Sequence, residues 1–143
     1  MNDLIYLAQP IDLAQPERAL DVARFTATLT QTSLDRGIAL YSPAMAWTLD
    51  PNKVHNPELV EEVNGLALAL SGRVVAMVYP GMRSFGVPLE IGSAVNRKIP
   101  VDVVNVASDA YKPGVSLSAL IQRGRVRFYQ TTESFFKELE SGE

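Results

Sequence analysis

Short runs of valine, isoleucine, leucine and alanine alternate along the chain with longer segments of helical character, and each run ends at Gly, Pro, Ser or Asn. Five runs predict strands: residues 4–8, 38–41, 74–79, 101–106 and 126–129. They are nearly continuous in apolar residues, a pattern that suits strands buried on both faces better than half-exposed antiparallel ones. Helices are predicted between them. Residues 16–36 open with Pro16 and Glu17 and stop at Gly37. Asn56, Pro57 and Glu58 read as a cap, a first helical proline and an acid facing the helix dipole, so a helix runs over 57–70. Further helices are expected over 88–97, over 116–123 ending at Gly124, and from about Thr132, the last carrying Phe135, Phe136 and Leu139 toward the sheet.

Strand followed by helix, repeated about five times, predicts a parallel sheet with helices on both faces and right-handed crossovers. The expected fold class is therefore α/β, a flavodoxin-like or Rossmann-like sandwich of about five parallel strands, in a single domain over residues 1–143. No internal repeat, low-complexity tract or linker interrupts it. In such folds ligands sit beyond the carboxyl ends of the strands, which singles out residues 9–15, 42–56, 80–87 and 107–115.

Composition narrows the chemistry. With 143 residues, 47% apolar and 20% charged, the chain suits one compact domain with a real core. The net charge is -3 and Lys and Arg are scattered, so nothing supplies the basic stripe that a nucleic-acid polymer needs, although a small anion remains possible. No cysteine and a single histidine leave no disulfide framework and neither a thiolate nor a His-rich metal site; no metal is expected. The opening MNDLIYLAQP has an early acid and a short apolar run, unlike a signal peptide or a membrane span, so a cytoplasmic protein is the default.

The loop after the third predicted strand, Pro80 to Gly86, leads into a helix beginning around Val87 and Pro88. Free N–H groups at such a helix start, with the Ser84 hydroxyl and the Arg83 guanidinium, suit a phosphate, although neither GxxxxGK[ST] nor GxGxxG is present. Glu90 falls on the first turn of that helix. There the dipole favours its ionised form as a nucleophile or electrostatic partner. The plainer reading is a surface glutamate that stabilises the helix by about 0.3–1 kcal/mol. The small and apolar residues 91–95 argue for a helix packed closely on the sheet, which would hold a carboxylate rigidly.

Three stretches in order, YLAQPID at 6–12, YSPAMAW at 41–47 and VVAMVYPGMRSFGVPLEIGSAVNRKIPV at 74–101, resemble the nucleoside 2-deoxyribosyltransferase-like superfamily, which holds base-exchanging transferases and nucleoside 5'-monophosphate N-glycosidases. The resemblance covers roughly residues 4–106, and its most specific part is the S-x-G-x-x-x-E-x-G segment from Ser84 to Gly92. It implies that Glu90 is the nucleophile at the anomeric carbon and that the Tyr6 hydroxyl holds it in place; without it, Tyr6 reads equally well as a core aromatic with a polar tip. Serine at position 84, where the transferases resemble one another in carrying Asp, implies a 5'-phosphate, which Asp would repel and Ser can hydrogen-bond. Arg83, Gly86 and the amides around Gln9 and Ile11 would complete that cradle. Met45 and Trp47 fall where the resemblance places the base pocket; Trp47 could equally be plain packing.

One position departs from the pattern. Where the family carries an Asp oriented to the sugar 2-position or the leaving base, this chain has Gly65, with Asn64 beside it. Asp12, Glu61 or Glu62 would have to substitute, or the base leaves with little acid help, or the protein binds without turnover. His55 reads as a solvent-exposed loop residue. The resemblance further implies a homodimer or higher homo-oligomer with the site near the subunit interface, where the 107–115 loop, with Ser108 and Asp109, would complete a neighbour's site. The expected activity is hydrolysis of the N-glycosidic bond of a (deoxy)nucleoside 5'-monophosphate to free base and sugar 5-phosphate, without metal or organic cofactor. The alternatives are a 2-deoxyribosyltransferase and a non-catalytic nucleotide-binding protein. The expected partner is a small-molecule nucleotide, not a nucleic acid or a membrane.

Overall fold

Side chains on the two central strands alternate between two apolar layers, as the uninterrupted runs require. The computed structural model describes residues 4–10, 16–47, 56–83 and 86–142. Strands β1 (Leu4–Ala8), β2 (Ala39–Tyr41), β3 (Arg73–Val78), β4 (Val101–Asn105) and β5 (Arg127–Tyr129) form one sheet in the order β2-β1-β3-β4-β5. All four pairings are parallel. The helices are α1 (Pro16–Asp35), α2 (Pro43–Ala46), α3 (Pro57–Leu70), α4 (Gly86–Asn96), α5 (Val115–Gln122) and α6 (Thr132–Ser141). This is an α/β flavodoxin-like fold.

Ile5 and Leu7 of β1 and Val75 and Met77 of β3 face one layer, closed by Val22, Phe25 and Leu29 of α1 and by Phe135 and Leu139 of α6. Tyr6, Ala8, Val74, Ala76 and Val78 face the other, closed by Leu68 of α3, by Val87, Ile91 and Ala94 of α4, and by half-buried apolar residues of α5. The chain leaves β1 for β2 on one side and returns to β3 on the other. The rim beyond β1 and β3 is therefore the topological switch point, where this architecture leaves a crevice.

Local chemistry sets the element ends. The Asn56 side chain accepts from the amides of Glu58 at 3.0 Å and Leu59 at 3.4 Å, and Pro57 needs no acceptor there. Gly37 at φ 68° and Gly124 at φ 70° take the left-handed conformation that closes α1 and α5. Among the described residues no helix is long and apolar enough to cross a membrane.

Strands and helices differ from expectation by one or two residues, and α2 was not foreseen. One shift matters: α4 begins at Gly86, not around Pro88, so Glu90 is its fifth residue and stands in the second turn. At the opposite end of the sheet, Asp102 of β4 is only 1% exposed. Arg127 donates to it at 2.7 Å, and Arg73 lies 3.5 Å away, so one carboxylate ties three strands together. Burial pushes its carboxyl above the usual value, and the two guanidiniums pull against that shift.

Candidate active site at the switch point

Tyr6 is the third residue of β1 and points into the layer covered by α3 and α4. Its hydroxyl donates to Glu90 Oε2 across 84 residues of sequence. Among the described residues no other hydrogen bond reaches this carboxylate, and Oε1 lies beside Gly86, where an added Cβ would stand 3.9 Å from it. Among the described residues only Oε2 is thus held by a hydrogen bond. Among the described residues, Tyr6 and Glu90 are the expected pair that a hydrogen bond joins.

The electrostatics correct one expectation. The helix dipole was expected to favour an ionised Glu90, but that effect falls off within the first turn, and Glu90 lies beyond it. Burial raises the carboxyl above its usual value, and the Tyr6 hydrogen bond only partly offsets this. The phenol is held well above its ordinary value, first by burial and then by the neighbouring carboxylate, so it remains a proton donor to Glu90.

A second set of contacts extends from this pair. In the β1–β2 register Tyr6 stands opposite Tyr41, and their rings lie 5.6 Å apart at 42°. The Tyr41 hydroxyl donates to Asn64 Oδ1, and Trp47 Nε1 donates to the same oxygen at 3.1 Å. Asn64 is therefore a clasp that ties the half-buried indole to Tyr41. Tyr41 and Asn64 had no assigned role in the sequence reading. The available signals were a tyrosine ending the second strand and an amide four residues before buried Leu68. Met45 is 51% exposed beside this group.

The two sides of α3 separate the acid candidates. Asn64 reaches β2, so the side of α3 bearing Asn64 faces the sheet edge. Glu61 lies four residues before Gly65 and seven before Leu68, on one stripe of the helix, and is exposed. Glu62 turns away from it. A Cβ at Gly65 would meet no atom within 4 Å, so the helix leaves open space there.

The remaining candidates are distributed as follows. Gln9 is half-buried and its Oε1 accepts from Ser42 Oγ at 3.2 Å. Arg83 is exposed at the end of the loop after β3, and Gly86 opens α4. Ser84, Ile11, Asp12 and His55 lie outside the described residues. Asp109, expected to serve a neighbour's site, is engaged within its own chain by a two-pronged contact from Arg18 at 2.7 and 2.9 Å. That contact holds its carboxyl below the usual range. Asn105, Gln130 and Tyr111 pin the rest of that loop. A cavity of about 420 Å³ lies on the other face of the sheet, between α1 and the start of α6, and of the expected residues it touches only Ser108.

No protein-family model matches the chain, and no curated protein matches its sequence. Solved structures match its fold. A 2-deoxyribosyltransferase from the psychrotolerant bacterium Bacillus psychrosaccharolyticus superposes with a TM-score of 0.63 at 16% identity, over 88% of this chain and 84% of that one. A conserved protein from Enterococcus faecalis V583 gives 0.58 at 23% identity, over 96% and 87%. A 2-desoxiribosyltransferase from Leishmania mexicana gives 0.54 at 14% identity, over 81% and 71%. The chain shares their fold.

Proposed function

We propose that this protein is an N-glycosidase that hydrolyses a (deoxy)nucleoside 5'-monophosphate to free base and sugar 5-phosphate. The observation that carries the reading is the Tyr6–Glu90 pair, a half-buried carboxylate held by a neutral phenol at the switch point of the sheet. The fold shared with two 2-deoxyribosyltransferases supports chemistry at an anomeric carbon.

Glu90 Oε1 attacks the anomeric carbon as the bond to the base nitrogen breaks, and the bonding electrons leave with the base. A carboxylate there stabilises the oxocarbenium character of the transition state and then captures it as a glycosyl ester. Tyr6 keeps its proton throughout and fixes Oε2, so the attacking oxygen needs no reorientation. Glu61, on the stripe of α3 that also carries Gly65 and Leu68, gives the departing base its proton. In the second step it takes a proton from water, whose oxygen bonds to the anomeric carbon as Glu90 leaves. One water is consumed, and both carboxyl groups return to their starting states.

Trp47, fixed by Asn64, forms the base wall, with Met45 at its edge. Ser84, Arg83, Gly86 and the amides of Gln9 and Ile11 hold the 5'-phosphate. The chain needs no metal or organic cofactor for these steps. Base exchange is the second reading, favoured by the named activities of two fold neighbours. There an acceptor base, instead of water, resolves the ester.

The test is a panel of ribo- and deoxyribonucleoside 5'-monophosphates with the matching nucleosides, with and without a second free base, followed by chromatography. Base release from monophosphates alone, lost in Glu90→Gln, is the expected result. A new nucleoside formed when a second base is present would establish the transferase. No release from any compound, with a nucleotide still raising the melting temperature, would make this a binding protein.

A further inference from the structure

The cavity of about 420 Å³ between α1 and the start of α6 has no part in the chemistry proposed above. It lies on the sheet face opposite the helix that carries Glu90, and its volume falls within the range of small-molecule sites, about 300–1,000 Å³. Part of its lining is apolar. Phe25 and Val106 are buried, and the half-buried Phe136 ring lies 5.3 Å from that of Phe25 at 38°.

Charged groups of both signs share the same lining: Asp21 and Arg24 from α1, and Glu133 from the first turn of α6. Asp21 and Arg24 are three residues apart on one helix, the spacing at which opposite charges ordinarily meet. They do not meet here. Asp21 instead stands 3.9 Å from Arg18, and Glu133 accepts from the Thr132 hydroxyl at 3.2 Å. Among the described residues Arg24 has no ion-pair partner. An unpaired guanidinium is thus based within one helical turn, about 5 Å of rise, of a carboxylate it does not use.

These groups discriminate between classes of ligand. A plain anion would suit Arg24 but meet two carboxylates, and a plain cation would suit the carboxylates but meet the guanidinium. An uncharged apolar molecule would desolvate all three charges and pair none of them. A molecule that carries both charges on an apolar body satisfies every group. We propose that this cavity is a second small-molecule site, which takes an α-amino acid with an apolar side chain. The carboxylate accepts two N–H bonds from the planar Arg24 fork, and the ammonium donates to Asp21 and Glu133. The side chain covers Phe25 and Phe136. This inference does not depend on the reaction proposed above.

Isothermal titration calorimetry and thermal melts of the full chain test it, with L-phenylalanine and L-leucine as probes at millimolar concentrations. One molecule should bind per chain. Phenethylamine lacks the carboxylate and 3-phenylpropionate lacks the ammonium, so each should bind at least about tenfold more weakly than L-phenylalanine, as loss of a hydrogen bond between charged groups requires. Arg24→Gln should weaken L-phenylalanine by a similar factor without weakening phenethylamine, and its far-ultraviolet circular dichroism should match the wild type. Asp21→Asn should weaken L-phenylalanine without weakening 3-phenylpropionate. Binding of neither amino acid by either method, an analogue that binds as tightly as L-phenylalanine, or full affinity in Arg24→Gln would overturn the assignment.

Discussion

Two carboxylates are withdrawn from water on opposite ends of the sheet, and they have different company. Asp102, at the amino-terminal end of the strands, meets two guanidiniums from β3 and β5. Glu90, at the carboxyl-terminal rim, accepts from a phenol and, among the described residues, from no other group. In both, burial raises the carboxyl above its usual value. A buried charge with its counter-charges in place holds elements together and has nothing left to give a ligand. A carboxylate that, among the described residues, has no cation paired with it is the arrangement that a developing sugar cation would complete. The fold thus sets a carboxylate paired with arginines and one paired with a phenol at opposite ends of its strands.

Removing each partner should break this contrast in different observables. The largest effect is expected from Glu90→Gln: base release falls on the order of 10⁴-fold or more, as loss of a nucleophile does in covalent enzymes, while the fold persists. Product chromatography with circular dichroism checks both halves. Asp102→Ala should do the opposite. It costs about 1.5–3 kcal/mol of stability, the range for hydrogen bonds to charged groups. The half-exposed Arg127 can turn to water, which keeps the loss below that of a fully buried pair. Urea unfolding measures this, and the folded fraction should retain its rate.

Tyr6→Phe comes next. Losing one hydrogen bond to a charged group, about 1.5–3 kcal/mol, should lower kcat roughly 10- to 100-fold. The Tyr6 bond pulls the Glu90 carboxyl down, so the same variant should move the acid limb of the pH–rate profile to higher pH. Stability carries a matching signature. With Glu90 raised in the folded state, that state binds more protons than the unfolded chain between the ordinary carboxylate value and the raised one. Stability contributed at this site therefore falls as pH rises through that window. Glu90→Gln should abolish this fall, so its advantage over wild type in thermal melts should grow with pH and then level off. The smallest effect belongs to Asn64→Ala. Without its clasp Trp47 loses a hydrogen bond of about 0.5–1.5 kcal/mol, which should raise KM a few-fold and leave kcat nearly unchanged.

The strands were legible because a sheet covered on both faces needs uninterrupted apolar runs, and local punctuation such as Asn56-Pro57 and Gly124 fixed several helix ends. The start of α4 was misread by treating Pro88 as the first helical residue. Proline at the third position is tolerated equally well, because its missing N–H would have found no acceptor in that turn. That shift moved Glu90 out of the first turn and changed the account of its charge. The Tyr6–Glu90 pairing was legible only through the family resemblance, since 84 residues separate the partners. Asp102 had no role assigned from the sequence. Its arginines come from neighbouring strands, and parallel register alone brings them to it. Asn64 was seen only as the neighbour of a missing acid. Its role depends on Tyr41 and Trp47, which the β2 segment and α2 bring to α3.

The central claim is that Glu90 carries the sugar during turnover. Intact-mass spectrometry of acid-quenched reactions, followed by peptide mapping, measures this directly. The account predicts a covalent sugar-phosphate adduct on the peptide containing Glu90 in the wild type, increased in Tyr6→Phe if breakdown becomes limiting and absent in Glu90→Gln. Base release at full rate by Glu90→Gln, with no adduct on the wild-type protein, would contradict it.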